Sequence, residues 1–305
     1  QDPASGRIRR SPPSANRGTC MKLIILSGRS GSGKTAALQV LEDMGYYCVD
    51  NLPLNLLPEL AAQLKDETLH LDHAAVGIDA RNLPDQLGNF ESVIKRVEDS
   101  GVQCEVVFLD AEDETLLTRF SATRRKHPLS TDEMSLSEAM AYEGHLLDRI
   151  HERADLIIDT TELDVHTLRD LIRERVVRHE EGLSLLVESF AYKNGLPRDA
   201  DLVFDVRVLP NPHWDAQLRP LNGLDERVVD FLNNQPDSIH MLNDIAGFLL
   251  RWLPHYATND RSYMTVAVGC TGGFHRSVYM VERLAARLHE NGYATQVRHQ
   301  QITAR

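Results

Sequence analysis

The sequence of 305 residues has few cysteines and no long apolar run. Its four cysteines lie far apart and form no C-x-x-C pair, which argues against a disulfide framework or a zinc site: Cys20, Cys48, Cys104 and Cys270. No apolar run approaches the roughly 18 residues that a membrane-spanning helix needs. Residues 1–20 also lack the apolar segment of a secretory signal. We therefore expect a cytoplasmic protein in a reducing compartment, without membrane contacts.

Positive charge is scarce as well, since 33 basic side chains stand against 45 acidic ones and the net charge is −12. Such a field repels nucleic acid unless a local basic patch overrides it. The apolar fraction of 42% and the charged fraction of 26% are typical of a globular protein, and the length allows two ordinary domains. Residues 1–20 are polar and rich in Pro, Ser and Arg, so we interpret them as a disordered leader or a foreign remnant.

Short apolar segments alternate with helical patterns from Met21 onward. "KLIILS", "HAAVGIDARN", "EVVFLDA" and "ADLIIDTT" have the pattern of buried strands, and "TAALQVLEDMG" has helical spacing. A charged segment at 168–182 is predicted to be a helix that ends at Gly182 and closes this unit. A second alternating set contains the predicted strands "LSLLVESF", "DLVFDVRV", "MTVAVGC" and "ATQVRHQ".

This alternation predicts an α/β fold class with two domains. We expect a P-loop NTPase (kinase-like) doubly wound parallel sheet in residues 21–180, and a second, smaller α/β domain with a phosphate-binding loop in residues 181–305. Ligands of such sheets gather at the carboxyl ends of the strands.

The segment "GRSGSGKT" fits the phosphate-binding pattern G-x-x-x-x-G-K-[ST] between a predicted strand and a predicted helix. Lys34 should contact the β- and γ-phosphates, and the hydroxyl of Thr35 should bind Mg²⁺. The alternative is a glycine loop that only joins strand to helix. As a nucleotide site the loop comprises Gly28, Arg29, Ser30, Gly31, Ser32, Gly33, Lys34 and Thr35.

An aspartate after a strand can complete such a metal site. Asp110 follows "EVVFL" and is our candidate for a catalytic role beside Lys34 and Thr35, while Asp50 competes for it. Either acid can instead cap the next helix or turn. A basic cluster at 119–126 either closes over the nucleotide or forms a solvated helix face: Arg119, Arg124, Arg125 and Lys126.

A second glycine-containing loop, "CTGGFHRS" at 270–277, also lies between a predicted strand and a predicted helix, so its amides can hold an anion. Cys270 and Arg276 have the C-x5-R spacing of cysteine phosphatases. Gly269, however, stands where a histidine usually lowers the thiol pKa. We favour anion binding over phosphatase chemistry or a structural loop.

The segment "FDVRVLPNPHWD" is dense in polar groups after a predicted strand and, with Asn259, can line a small polar pocket. Its polar and aromatic members are Asp205, Arg207, Asn211, His213 and Trp214. Packing of His213 or Trp214 at a domain edge is the alternative.

The chain resembles the RapZ/YvcJ family of nucleotide-binding proteins from about residue 21 to residue 299. The resemblance is carried by "SGRSGSGK", "LEDMGYYCVDNLP", "FDVRVLPNPHWD" and "RSYMTVAVGCTGGFHRSVY", in the family's order. It implies binding of ATP and GTP with Mg²⁺ and slow hydrolysis, with the ATP site on residues 28–35. It also implies that "DARN" forms a guanine-nucleotide contact: Asp79, Ala80, Arg81 and Asn82.

In the enterobacterial branch, the resemblance further implies an adaptor that presents a small RNA to endoribonuclease E and whose second domain senses glucosamine-6-phosphate, a phosphorylated amino sugar. The positions that match this pocket are Asp205, Arg207, His213, Asn259, Cys270, Thr271, Gly272, Gly273, His275 and Arg276. The RNA-binding members end in a lysine- and arginine-rich tail, whereas this chain ends in "VRHQQITAR". Fewer phosphate contacts should weaken RNA binding steeply at physiological salt.

Three classes of function follow: a regulatory nucleotide-binding protein with weak NTPase activity, a small-molecule kinase with Asp50 as base, and an RNA-binding adaptor. The sequence favours the first, because no acceptor signature is present. We also expect a homo-oligomer.

Overall fold

The computed structural model describes residues 21–65, 71–81, 87–123, 126–131, 133–177, 183–258 and 261–302. In the first domain, five parallel strands form one sheet in the order β2-β3-β1-β4-β5. The strands are β1 (Lys22–Gly28), β2 (Tyr47–Val49), β3 (His73–Gly77), β4 (Gln103–Asp110) and β5 (Leu156–Asp159).

Helices cover both faces of this sheet, which is why β1 is buried along almost its whole length. Side chains alternate between faces along a strand, so Leu23 and Ile25 join one core cluster and Ile24 and Leu26 the other. The helices are α1 (Lys34–Asp43), α2 (Leu57–Leu64), α3 (Phe90–Asp99), α4 (Asp113–Thr123), α5 (Leu136–Arg153) and α6 (Val165–Ile172).

The second domain has a four-stranded parallel sheet in the order β7-β8-β6-β9. Its strands are β6 (Ser184–Ala191), β7 (Leu202–Asp205), β8 (Tyr263–Cys270) and β9 (Thr295–His299), and its helices are α7 (Glu226–Asn233), α8 (Pro236–Thr258) and α9 (Arg276–Glu290). The predicted α/β fold class, with parallel sheets and alternating helices in two domains, is confirmed.

Two predicted elements differ from the structure in extent. The strand "DLVFDVRV" ends at Asp205, because the Asp205 carboxylate accepts a hydrogen bond from the Arg207 N–H at 2.9 Å and turns the chain. The predicted helix at 168–182 begins earlier, at Val165, and changes at Arg173 into a π-helical turn that extends to Val177. Its predicted end, Gly182, lies outside the described residues, as do residues 1–20 of the predicted leader.

The two domains share a packed boundary. Tyr263, at the start of β8, is buried in a core cluster of the first domain, and its hydroxyl donates to Glu105 Oε2 on β4 at 2.8 Å. Arg175 is also buried at this boundary and donates to Thr265 Oγ1 at 3.0 Å. Within the part of the chain that the structure describes, no helix has the length and apolar character needed to span a bilayer.

Candidate functional site

The loop between β1 and α1 is held tightly against the end of β4. Gly28 has φ of +139°, and a Cβ atom there would lie 2.1 Å from the carbonyl oxygen of Leu109, so only glycine fits. Gly33 precedes α1 as its N-cap, and no side chain caps the helix. The first amides of α1 are therefore available to an anion, as at other helix N-termini that bind phosphate.

Lys34 lies on the carbonyl groups of its own loop. Its Nζ donates to Gly28 O at 2.5 Å and to Arg29 O at 3.1 Å. Burial lowers the pKa of Lys34, and the nearby carboxylates of Glu143 and Asp79 act in the opposite direction. A phosphate that reached this ammonium would replace weak carbonyl contacts with a charged partner.

A buried carboxylate from α5 supports the same loop. Glu143 is fully buried and accepts hydrogen bonds from Ser30 N at 2.9 Å and Ser30 Oγ at 2.6 Å. His127 Nε2 lies 3.2 Å from Glu143 Oε2. Burial alone would raise the pKa of Glu143, but the hydrogen bonds from His127 and Ser30 hold it below its ordinary value. Glu143 is thus an ionised anchor of the loop.

A cavity of about 930 Å³ opens above residues 30–36. Asp50, Asp79, Arg81 and Arg119 line it, together with Lys126 from the predicted basic cluster. Two other predicted members of that cluster, Arg124 and Arg125, lie outside the described residues.

Arg119 is fixed by backbone carbonyls on both sides of this cavity. Its Nη1 donates to Gly31 O at 3.1 Å, and its Nη2 donates to Thr160 O at 2.5 Å. Burial lowers the pKa of Arg119, although the group stays charged at neutral pH. The side chain therefore joins the phosphate loop to the end of β5.

Asp79 and Arg81 form a bidentate ion pair at the cavity wall. They are two of the four residues predicted to contact guanine. Both carboxylate oxygens of Asp79 accept from the guanidinium, at 3.1 Å for Nε to Oδ1 and 2.6 Å for Nη2 to Oδ2. Burial would raise the pKa of Asp79, but the hydrogen bonds from Arg81 lower it. Ala80 between them is buried, and Asn82 lies outside the described residues. A base contact by these residues stays a prediction, and Asp79 lines the same cavity as Lys34.

The described residues contain no cluster of three or more His, Cys, Asp or Glu side chains that could hold a metal by themselves. Mg²⁺ at this loop would instead share one or two protein oxygens with the phosphates, as it does in many nucleotide sites. Thr35 and the nearby Asp50 and Asp79 fit such a limited ligand set.

Asp110, the sequence candidate for this role, is not among the described residues that line the cavity. Its Oδ1 accepts the N–H of Ala111 at 2.8 Å and lies 3.8 Å from Arg29 Nη1. Its Oδ2 lies 3.3 Å from Arg198 Nη2 of the second domain. In this arrangement two arginines hold the carboxylate outside the cavity. The catalytic role of Asp110 stays a prediction.

In the second domain, Arg276 begins α9 directly after the loop at the end of β8. Arg276 as a whole is 5% exposed, and its Nη1 donates to Arg207 O at 2.6 Å and Leu209 O at 3.0 Å. Among the described residues, Nε has no hydrogen-bond partner, and Nη2 makes one long contact of 3.4 Å to Thr271 Oγ1. The Nε–Nη2 edge is the one that grips an anion with two parallel hydrogen bonds.

Cys270 lies at the base of this loop. Its Sγ is 3.2 Å from Ser277 Oγ. Burial would raise the pKa of the thiol, but hydrogen bonds from Ser277 and Phe274 hold it below the ordinary value. A Cβ atom at Gly269 would lie 2.4 Å from the Phe190 ring, so the histidine that precedes cysteine in phosphatases does not fit here.

The remaining predicted pocket residues come together around Arg276. Asp205 and Arg207 form an ion pair, with 2.6 Å between Oδ2 and Nη2. The Arg207 guanidinium lies 3.8 Å from the Tyr192 ring centroid. The rings of His213 and His275 are 6.3 Å apart, and burial lowers the pKa of His275. Gly272 and Gly273 complete the loop, and Asn259 lies outside the described residues.

The sequence did not point to Glu143, His127 or Arg198. Glu143 does leave one signal, because it falls on the buried face of α5 with Met140, Leu147 and Ile150. An acid on the apolar stripe of a helix needs a buried partner.

Comparison with known proteins agrees with this geometry. Residues 21–180 match the family model described as the RapZ-like N-terminal domain, and residues 183–303 match the RapZ C-terminal domain. A nucleotide-binding protein of Alcanivorax borkumensis is 58% identical over 282 residues, which cover 92% of this chain and 100% of that protein. A nucleotide-binding protein of Stutzerimonas stutzeri is 54% identical over 285 residues, again 92% of this chain and 100% of the relative.

Among solved structures, the shikimate kinase of Acinetobacter baumannii in complex with shikimate covers 56% of this chain and 99% of its own, with 18% identity and a TM-score of 0.35. That likeness is too low to support an argument. The two domain matches, in contrast, span nearly the whole described chain. The chain is therefore a nucleotide-binding protein of the RapZ family.

Proposed function

We propose that this protein binds ATP and GTP with Mg²⁺ at residues 28–35, hydrolyses them slowly, and senses a phosphorylated amino sugar such as glucosamine-6-phosphate in its second domain. The observation that carries the proposal is a pair of glycine-containing loops, one at the carboxyl end of the central strand β1 and one at that of β8. Each loop leads into a helix whose first residue is a cation, the partly buried Lys34 or the buried Arg276.

The nucleotide part of the proposal rests on Lys34 and on the uncapped start of α1. The amides would bind the phosphates and the ammonium would reach the outer ones. Mg²⁺, when bound, would neutralise phosphate charge, and Thr35, Asp50 and Asp79 are the groups placed to hold it.

Slow hydrolysis is supported by the state of the cavity acids. Both oxygens of Asp79 already accept hydrogen bonds from Arg81, and its pKa is low, so it is a poor proton acceptor for an attacking water. Binding of a nucleotide is therefore favoured over rapid turnover.

The sugar part of the proposal rests on the Nε–Nη2 edge of Arg276, which two backbone carbonyls orient. Because the pKa of His275 is lowered, this ring is mostly neutral at pH 7 and can donate or accept a hydrogen bond with a sugar hydroxyl. The negative charge of the Asp205 carboxylate complements the positive charge of an amino group on the sugar.

Calorimetry on the wild type, Lys34→Ala and Arg276→Ala tests both halves of the proposal. With ATP, GTP and glucosamine-6-phosphate as titrants, Lys34→Ala should lose the nucleotides and keep the sugar phosphate, and Arg276→Ala should do the reverse. Loss of all ligands in both variants, or unchanged affinities, would contradict two separate sites. Release of inorganic phosphate from glucosamine-6-phosphate would instead support the phosphatase alternative.

A further inference from the structure

One segment of the second domain, residues 192–199, extends from the anion loop to the first domain. At its start, the N–H of Lys193 donates to Thr271 O of the anion loop at 3.4 Å. At its end, Arg198 Nη2 lies 3.3 Å from Asp110 Oδ2, and Asp199 Oδ2 accepts the N–H of Asp159 at 3.4 Å. The segment therefore reaches the end of β4, which lies beside β1 and its phosphate loop, and the end of β5, the next strand of the sheet.

Asp110 lies between an arginine of each domain. Arg29 belongs to the phosphate loop, and its Nη1 is 3.8 Å from Asp110 Oδ1 and 2.6 Å from Asp113 Oδ1. The Arg29 N–H also donates to Leu109 O at 3.2 Å. Because Asp110 is only 7% exposed, its carboxylate depends on these two arginines for compensation of its charge.

Loss of Arg198 would leave this buried carboxylate to Arg29 alone and would remove one positive charge from behind the phosphate loop. Both effects disfavour a bound phosphate: Arg29 would be drawn toward Asp110, and the local potential would become more negative. The side chain of Arg198 is 45% exposed, so the ion pair itself adds little to the stability of the fold.

We propose that Arg198 is a positioning residue of the nucleotide site that the second domain contributes, and that it acts through Asp110 on Arg29. Residues 192–199 then couple the two ligand loops energetically. This inference concerns a contact between domains and does not require that the protein hydrolyse nucleotides.

Arg261→Ala is a matched control for Arg198→Ala. Arg261 has the same side-chain exposure, 45%, and pairs at 2.9 Å with Asp201 of its own domain. We expect the ATP dissociation constant to rise about two- to five-fold in Arg198→Ala, the range of a single exposed ion pair, and to stay unchanged in Arg261→Ala. Arg198→Lys should restore part of the affinity.

A double-mutant cycle separates positioning from a general structural effect. In the Asp110→Asn background, Arg198→Ala should have no further effect on ATP binding, because the two residues act in series. Equal losses in Arg198→Ala and Arg261→Ala, or additive losses with Asp110→Asn, would overturn the proposal. Thermal unfolding of each variant checks that the fold is retained.

The coupling is measured as the ratio of ATP dissociation constants with and without saturating glucosamine-6-phosphate, and this step rests on the proposed function. The ratio should differ from one in the wild type and in Arg261→Ala, and should move to one in Arg198→Ala. A ratio that Arg198→Ala leaves unchanged contradicts the coupling. If calorimetry detects no sugar-phosphate binding, sugar sensing and coupling are both wrong, while the ATP affinities still decide the role of Arg198.

Discussion

Removal of the buried carboxylate of Glu143 should weaken nucleotide binding although the residue does not line the cavity. Glu143 accepts from both the amide and the hydroxyl of Ser30, at 2.9 and 2.6 Å. Hydrogen bonds to a charged group contribute about 1.5 kcal/mol or more each. Loss of both therefore removes about 3 kcal/mol of the free energy that holds the phosphate loop in place. This corresponds to roughly 100-fold in affinity if it appears wholly in binding.

A second effect of the same substitution has the opposite sign. The carboxylate of Glu143 is close enough to Lys34 to raise its pKa, so its removal makes the loop more positive and favours phosphate. Glu143→Gln separates the two effects, because the amide keeps an acceptor for Ser30 but carries no charge. We expect Glu143→Ala to weaken ATP binding by about 10- to 100-fold and Glu143→Gln to change it by less than about three-fold.

Calorimetric titration of both variants with ATP gives these affinities, and unfolding by urea shows whether each variant is folded. If both variants bind ATP more tightly than the wild type, the negative charge and not the hydrogen-bonded loop geometry dominates. If Glu143→Ala binds ATP as tightly as the wild type, the hydrogen bonds from Ser30 to Glu143 are not needed for nucleotide binding. Either result would refute the assigned role of Glu143.

Three further predictions concern titration, metal and RNA. Burial, with the nearby charge of Asp199, raises the pKa of Glu188 from 4.5 to about 7, so the folded state holds a proton that the unfolded state releases, and stability should fall as pH rises through this interval. Glu188→Gln should reduce that slope, measured by urea unfolding at pH 5 and pH 8, and should raise stability at pH 8 relative to the wild type; a wild-type stability that is flat between these values contradicts the shift. Asp79→Asn should reduce the Mg²⁺ dependence of ATP binding measured by calorimetry, and an unchanged dependence would remove Asp79 from the metal site. Because the net charge is −12, filter binding of small RNA between 50 and 200 mM salt should show weak affinity with a shallow slope, whereas a steep slope would favour the adaptor role.

Both loops were predictable because each is contiguous in sequence. Eight residues contain the glycines, Lys34 and Thr35, and another eight contain Cys270 through Ser277, so a short pattern is enough to find them. The parallel sheets were predictable for a similar reason, since apolar strands and amphipathic helices alternate along the chain.

The sequence alone did not indicate which aspartate lines the cavity beside the phosphate loop. Both neighbours of β1, which are β3 and β4, are followed by or end in an aspartate, and the order β3-β1-β4 is a property of the folded sheet. Only the structure distinguishes Asp79, which faces the cavity, from Asp110, which two arginines hold outside it. Ser30 and Glu143 are likewise 113 residues apart, and no local pattern connects them.

The charges around the first loop indicate how an acidic protein binds an acidic ligand. Asp79 is neutralised by Arg81, and Glu143 opposes Lys34, so the side chains leave little net positive charge for phosphates. The amides of the loop and of α1 carry no net charge and must provide most of the attraction through their fixed direction. At β8, two backbone carbonyl groups orient the Arg276 guanidinium, whose positive charge would add to the attraction. Binding that depends on short, directed hydrogen bonds is less screened by salt than binding to a basic surface. Phosphate recognition that rests mainly on backbone geometry is therefore compatible with a net charge of −12.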